Sequence, residues 1–268
     1  MLRMESDTGW SLITHPDHAR LAGAFAAAWG NAQFRRPEPR ARVLHGIASH
    51  DDGWAARDAH PAITREGEPS AFSAELVGKY SAFEEIDPAD YLVVRERAVR
   101  IIAEQDPYAG LLIAMHTFNL LTAHADRSTI APEGLVLLDA FLERQQAYQR
   151  ELLAAIEADA SLALVEKSSQ TILEHLHLLQ ACDNLSLLTC VAFSSPANLL
   201  HPCRRTTAPL RRCRCCPWRR ACFAWLPGLL RSQSFSFTFR PATSRATPLP
   251  RRQRWKPLSM RLPSRLSP

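Results

Sequence analysis

Two histidines and two aspartates have the side chains that proteins use to hold a divalent metal ion. They are His18, the adjacent pair His50 and Asp51, and Asp183. Each is predicted to share a helix face with apolar residues, and a buried polar side chain is costly unless it is paired or binds something. Two imidazoles and two carboxylates that converge in a helical core suit Mn²⁺, Fe²⁺, Zn²⁺ or Mg²⁺, and the residue types leave the choice among these ions open. Such an ion lowers the pKa of bound water to about 7, which supplies a nucleophile near neutral pH.

The first element that must position these residues is a helix predicted to begin at Thr14. Thr14 is suited to cap this helix, and Asp17 three residues later completes a pattern typical of a capping box. Apolar residues then recur at helical spacing. Because His18 stands three residues before Leu21 and seven before Phe25, we expect it to lie on the buried face.

A second helix is predicted over about residues 40–54. Val43, Ile47, His50 and Asp51 follow the i, i+4, i+7, i+8 spacing of a single helix face. The pattern therefore predicts that the His-Asp pair points inward together with the apolar residues of this helix.

The remaining elements are also predicted to be helices, which gives an all-α fold class. His116 lies on one of them and Asp183 on the last. Residues 58–78, with several Pro and Gly, are predicted to form a loop. The predicted helices cover about residues 88–105, 108–125, 133–157 and 166–191.

The composition changes sharply toward the C-terminal end. Residues 184–268 contain 16 of the 32 basic residues and none of the 27 acidic ones, and all seven cysteines lie at or after Cys182. The cysteine spacing matches no paired Cys-x-x-Cys zinc pattern. We therefore predict a helical domain over residues 1–195 and an irregular, disordered basic tail over residues 196–268.

Two interpretations fit this tail. It could be a basic arm that binds nucleic acid or an acidic membrane surface. Alternatively, the reading frame has slipped before this segment. This second interpretation is favoured because a GC-rich gene that is read in a wrong frame yields an acid-free sequence rich in Arg, Pro and Ser. Nucleic acid is thus an expected partner only if the tail is genuine. No apolar run reaches the roughly 20 residues of a membrane span, and no secretory signal precedes the first helix, so we expect a cytoplasmic protein without a membrane partner.

Three blocks of the sequence, DHARLAGAFAAAWG (residues 17–30), LHGIASHDDGW (44–54) and LLQACDNLSL (178–187), resemble the HD superfamily of metal-dependent phosphohydrolases. The signature of that superfamily is an isolated His, an adjacent His-Asp pair and a distant Asp. The resemblance implies an HD-like helical bundle with His18, His50, Asp51 and Asp183 as metal ligands. The blocks look closer still to a family of bacterial proteins of unassigned function, which adds no activity.

One departure from the superfamily affects the expected substrate. HD phosphohydrolases often continue the motif as His-Asp-x-Gly-Lys, whereas this chain has Asp52, Gly53 and Trp54 after Asp51. An additional acid without the lysine could favour a second metal ion or an oxidative chemistry like that of the di-iron branch. We expect Asp52 to orient the attacking water or contact a second ion, and His116 to contact the leaving oxygen or the metal.

The function predicted from these residues is metal-dependent hydrolysis of a phosphate ester of a nucleotide or another small metabolite. The alternative is a non-catalytic HD-like protein that binds a ligand or a partner protein. A third interpretation is nucleic-acid binding through the basic tail. The sequence does not give the oligomeric state.

Overall fold

The computed structural model describes residues 1–6, 9–32, 34–61, 63, 69–70, 87–193, 197–203 and 211–215, and within these ranges the chain is mostly helical. The predicted all-α class is confirmed. The α-helices are α1 (His15–Ala28), α2 (Arg40–Ala48), α3 (Ala55–Asp58), α4 (Pro88–Gln105), α5 (Pro107–Asn119), α6 (Pro132–Ala158), α7 (Leu164–Lys167) and α8 (Ser169–Cys190). Short 3₁₀ turns cover Asp52–Trp54 and Arg127–Thr129, and a π turn covers Leu120–His124.

Two short antiparallel hairpins that the periodicity did not predict accompany the helices. Strand β1 (Leu2–Ser6) pairs with β2 (Gly9–Ile13), and β3 (Ala197–Cys203) pairs with β4 (Arg211–Cys215). The first hairpin buries Leu2 and Ile13 against residues at the end of α8. It therefore covers one end of the helical core rather than forming a separate layer.

The helix starts follow the capping residues in the sequence. The Thr14 hydroxyl accepts a hydrogen bond from the backbone N–H of Asp17 at 3.1 Å, as predicted for α1. Asp106 caps α5 in the same way, accepting from the N–H of Tyr108 at 3.0 Å. Since α4 ends at Gln105 and Pro107 begins α5, the single residue Asp106 both ends one helix and starts the next.

The prediction of one continuous helix over residues 40–54 is wrong, because α2 ends at Ala48. The backbone leaves helical geometry at Ser49 (φ −118°, ψ 6°) and at Asp51 (φ −117°, ψ 15°). His50 Nδ1 lies 2.8 Å from the carbonyl oxygen of Ile47, in a local bond that competes with continuation of the helix. His50 and Asp51 thus lie in the turn between α2 and the 3₁₀ turn.

Helix α5 is central to the packing of the described helices. It contacts α2, α4, α6 and α8, and Leu111, Leu112 and Ile113 on it are at most 1% exposed. Helix α1 packs on α2 and α8. Because the predicted site residues lie on α1, α5, α8 and the turn after α2, this packing brings the elements that contain them together.

Some predictions fall mainly on residues outside the described ranges. Most of the predicted loop over residues 58–78 and most of the predicted tail over residues 196–268 lie outside them. The part of the tail that is described includes β3, which packs against α8 and stacks the His201 ring on His177 with centroids 4.2 Å apart. None of the described helices is long and apolar enough to cross a membrane.

Candidate metal centre

Five of the predicted site residues meet in the interior of the helical domain. His18 comes from α1, His50 and Asp51 from the turn after α2, His116 from α5 and Asp183 from α8. All five are buried. Residues separated by as many as 165 positions therefore line one polar cluster, which we call the His/Asp cluster.

Asp183 lies at the centre of the His/Asp cluster. Its Oδ1 is 2.9 Å from Nε2 of His18 and 3.3 Å from Nε2 of His50. Its Oδ2 is 3.6 Å from Nε2 of His116. Asp51 completes the cluster, since its Oδ2 lies 3.8 Å from Nε2 of His50 and 4.0 Å from Nε2 of His18. All three imidazoles therefore direct the same ring nitrogen toward the carboxylates.

The hydrogen bonds behind the rings fix which nitrogen faces the cluster. His50 donates from Nδ1 to the Ile47 carbonyl at 2.8 Å, which leaves the lone pair on Nε2. Ser186 Oγ lies 2.7 Å from Nδ1 of His18 and donates its hydrogen to the Asp183 carbonyl oxygen at 2.9 Å. Because that hydroxyl has a single hydrogen, it accepts from Nδ1 of His18, and the lone pair of this ring also lies on Nε2.

This arrangement of lone pairs and carboxylates suits a cation. Nε2 of His18 and Oδ1 of Asp183 are two electron-rich atoms 2.9 Å apart, so a proton or a metal ion must lie between them. Nε2 of His50 is buried and makes no hydrogen bond with any described residue. The structure thus contains two groups that could hold a metal ion, His18–His50–Asp51 and His50–His116–Asp183, with ligand atoms within 4.8 Å of one another in each.

The electrostatics of the His/Asp cluster agree with this geometry. Burial raises the pKa of Asp51, but the charges of Arg95 and His50 outweigh it and hold that pKa below its usual range. Burial likewise opposes ionisation of Asp183, yet its hydrogen bond to His18 and its close contact with His50 keep its pKa well below normal. Both carboxylates are therefore anionic at neutral pH, as ligands must be.

The pKa values of His50 and His116 shift in opposite directions. Burial lowers the pKa of His50, but the neighbouring charges of Asp51 and Asp183 outweigh it and raise the pKa to about 9. Burial lowers the pKa of His116 to about 3, so this ring is neutral. Without a metal ion, a proton on His50 would balance the carboxylates, and a divalent ion would displace that proton.

Comparison with protein families gives a match over residues 1–220, which include the whole His/Asp cluster. The chain belongs to this family. Its description is "Protein of unknown function (DUF3891)", so membership in the DUF3891 family assigns no activity. Comparison with curated proteins and with solved structures finds no match.

Asp52, expected to act in catalysis, lies beside the His/Asp cluster rather than in it. It begins the 3₁₀ turn Asp52–Trp54, is half-buried and belongs to neither of the two groups that could hold a metal. Burial raises its pKa, against the opposing charges of Arg20 and His50. Its role as a water-orienting carboxylate stays a prediction.

Sequence reasoning missed two residues that contact the His/Asp cluster. Arg95 on α4 donates to Asp51, and Ser186 on α8 bonds to His18. The pattern did contain a signal for Arg95, which lies four residues after Tyr91 and four before Val99 on the buried stripe of α4. Ser186 stands three residues after Asp183, one helical turn along the same face.

Proposed function

We propose that this chain is a metal-dependent hydrolase that cleaves a phosphate ester of a nucleotide or another small metabolite. The observation that carries the proposal is the burial of three imidazoles and two carboxylates that form two overlapping groups, with ligand atoms within 4.8 Å of one another in each group. His18, His50, Asp51 and Asp183 would hold the metal. A mixed set of imidazole and carboxylate ligands is favourable for Mn²⁺, Fe²⁺ or Zn²⁺ and less so for Mg²⁺, which prefers oxygen ligands.

The residues around the His/Asp cluster would have defined tasks in this reaction. A divalent ion bound there would supply a Lewis acid that activates water and offsets charge on the phosphate. The Ile47 carbonyl and Ser186 hydroxyl hold the His50 and His18 rings in the ligating tautomer. We assign to Asp52 the orientation of the attacking water. His116, neutral and facing Asp183, contacts either the metal or the leaving oxygen.

The net charge of the His/Asp cluster supports an anionic substrate. Arg95 offsets the charge of Asp51 through a 2.6 Å bond, so Asp183 supplies the remaining negative charge of the cluster. A divalent ion would make this buried site positive, and a buried positive charge favours an anion such as phosphate.

A second candidate is a non-catalytic helical domain that binds a ligand or a partner. Trp54 stands where HD phosphohydrolases often have a phosphate-binding lysine, and it is only 3% exposed, packed edge-on to Tyr91. The phosphate contact that this lysine supplies elsewhere is therefore lacking at position 54. This observation favours a domain that retains the metal site without the reaction.

The test is metal content of the full chain after chelator treatment and incubation with Mn²⁺, Fe²⁺, Zn²⁺ or Mg²⁺. The variant His50→Gln/Asp183→Asn removes ligands from both groups while keeping side-chain shape and the pair between Asp51 and Arg95. The matched control is His60→Gln/Asp139→Asn, which changes an exposed histidine and an exposed aspartate. Circular dichroism establishes that each protein is folded.

We expect about one or two equivalents of metal in the wild type and the control, and less than a tenth of that in the cluster variant. The loaded wild type should then hydrolyse members of a panel of nucleoside monophosphates and aryl phosphates. Metal binding without any hydrolysis would favour the second candidate. A folded wild type that binds none of the four ions would refute the hydrolase and leave the second candidate, a domain that binds a ligand or a partner.

A further inference from the structure

Arg95 is a buried cation held at two points beside the His/Asp cluster. It is 6% exposed on α4, and its Nη1 donates to Oδ1 of Asp51 at 2.6 Å. Its Nε donates to the hydroxyl of Tyr91, one helical turn earlier, at 3.0 Å. Removing the charges of an arginine and a carboxylate from water is costly, even when a short bond joins them. The buried position of Arg95 therefore calls for a role.

Two aromatic rings restrict the guanidinium further. The carbon at its centre lies 5.2 Å from the centroid of the Tyr91 ring and 5.4 Å from that of Trp54. Both distances are within the range of a cation–π contact. Gly53, just before Trp54, approaches the backbone of Val94 and Ala98 so closely that no Cβ would fit. The turn that carries Asp51 is thereby packed directly on the helix that carries Arg95.

The bond to Arg95 affects which oxygen of Asp51 is available to a metal ion. Oδ1 is occupied by Arg95, whereas Oδ2 faces Nε2 of His50 and Nε2 of His18. With Oδ1 bonded to Arg95, the oxygen of Asp51 that lies close enough to the imidazoles to share a metal ion with them is Oδ2. The direction of the Asp51 side chain is therefore determined by Arg95 and by the groups that hold Arg95.

We infer that Arg95 is a positioning residue, which through its two-point attachment to Asp51 and Tyr91 directs a single oxygen of Asp51 toward the bound metal. This inference rests on the proposed metal site. The planar guanidinium donates in two fixed directions, which a lysine ammonium on a flexible chain does not reproduce. The function of Trp54 and Tyr91 in this arrangement is to hold the guanidinium rather than to contact substrate.

The experiment measures Co²⁺ binding to the full chain, with Co²⁺ as the probe because its visible absorption reports the coordination geometry. Arg95→Met removes both bonds, Arg95→Lys keeps the charge, and Tyr91→Phe removes only the second attachment. Arg144→Met is the matched control, since Arg144 is an exposed arginine that pairs with Glu96. Affinity and spectrum are recorded only on proteins that circular dichroism shows to be folded.

We expect Arg95→Met to weaken Co²⁺ binding by about 10- to 100-fold, the usual effect of losing a partner behind a ligand. Arg95→Lys, which retains the charge and so should fold, is expected to weaken binding about tenfold and to change the absorption spectrum. Tyr91→Phe should have a smaller effect in the same direction, and Arg144→Met none.

The outcomes separate this inference from the proposed function. If the wild type binds Co²⁺ and the folded Arg95→Lys protein shows the same affinity and spectrum, the inference is wrong while the metal site stands. If the wild type binds no metal, the proposed function and this inference both fall. A loss of affinity with a changed spectrum in the Arg95 variants, and not in the control, supports it.

Discussion

Replacing Ser186 with alanine should weaken metal binding although the hydroxyl is not itself a ligand. Ser186 is fully buried, and its Oγ lies 2.7 Å from Nδ1 of His18. The substitution leaves the Nδ1–H of His18 without an acceptor in the interior. The ring can then rotate or change tautomer, so Nε2 no longer faces Asp183 at 2.9 Å.

The size of the effect follows from the number of bonds lost. One buried donor left unsatisfied costs roughly 1–3 kcal/mol in the free energy of unfolding. Loss of a partner behind a histidine ligand typically reduces metal affinity about 10- to 100-fold. We therefore expect Ser186→Ala to lower both quantities, with the affinity changing at constant stoichiometry because every proposed ligand is still present.

The assay is titration of the metal-free full chain with Mn²⁺ or Co²⁺ by calorimetry, together with urea unfolding in chelator. Thr189→Ala is the matched control, since Thr189 lies on the same helix and its hydroxyl donates to the Leu185 carbonyl at 2.7 Å. Both variants remove a hydroxyl bonded to a helix carbonyl, and only Ser186 touches a histidine of the cluster. Equal affinities for Ser186→Ala and wild type would refute the assignment of His18 Nε2 as a ligand atom.

Two further predictions concern the stability of the fold. Gly53→Ala places a Cβ against the backbone of α4, 2.8 Å from the Ala98 nitrogen, and should lower the free energy of unfolding by about 1–3 kcal/mol. In Gly134→Ala the new Cβ lies 2.9 Å from Cγ2 of Ile130 and 3.3 Å from the Pro88 ring, which are side chains rather than backbone, so urea unfolding should show a smaller loss of stability than in Gly53→Ala. Burial lowers the pKa of His175 to about 4, so acidification protonates the unfolded chain first and the native state loses stability as the pH falls below the usual histidine pKa. Between about pH 7.5 and 4.5 this loss of stability is on the order of 2 to 3 kcal/mol, and it should be smaller by this amount in His175→Gln than in wild type or in a variant of the exposed His60; identical pH slopes would contradict the assignment.

The helical elements could be predicted because each has a long apolar periodicity and a capping residue. Helix α6 was predicted over residues 133–157 and runs from Pro132 to Ala158. The hairpin of β1 and β2 was not predicted, because strands of five residues give too few positions to show alternation. Its burial depends on the distant end of α8, which no local pattern reveals.

The polar residues of the candidate site likewise include some that the sequence pattern predicts to be buried and some that it does not. His18, His116 and Asp183 could be placed on buried faces because helical spacing relates each to apolar neighbours. Arg95 and Ser186 were missed although helical spacing also relates them to buried residues, because an arginine or serine is by default assigned to the surface. Only the packing of α4 on the turn after α2, and of α8 on α1, shows that these two side chains contact the His/Asp cluster.

The turn after α2 explains how two consecutive residues can serve one metal. In a continuing helix, neighbouring side chains point about 100° apart around the axis, so His50 and Asp51 would not converge on one point. The helix instead ends at Ala48, and the turn that follows brings Oδ2 of Asp51 to 3.8 Å from Nε2 of His50. The bond from His50 to the Ile47 carbonyl fills the position that the next helical N–H would occupy. The same contact therefore ends the helix and sets the tautomer of the histidine, which makes the break in α2 part of the site itself.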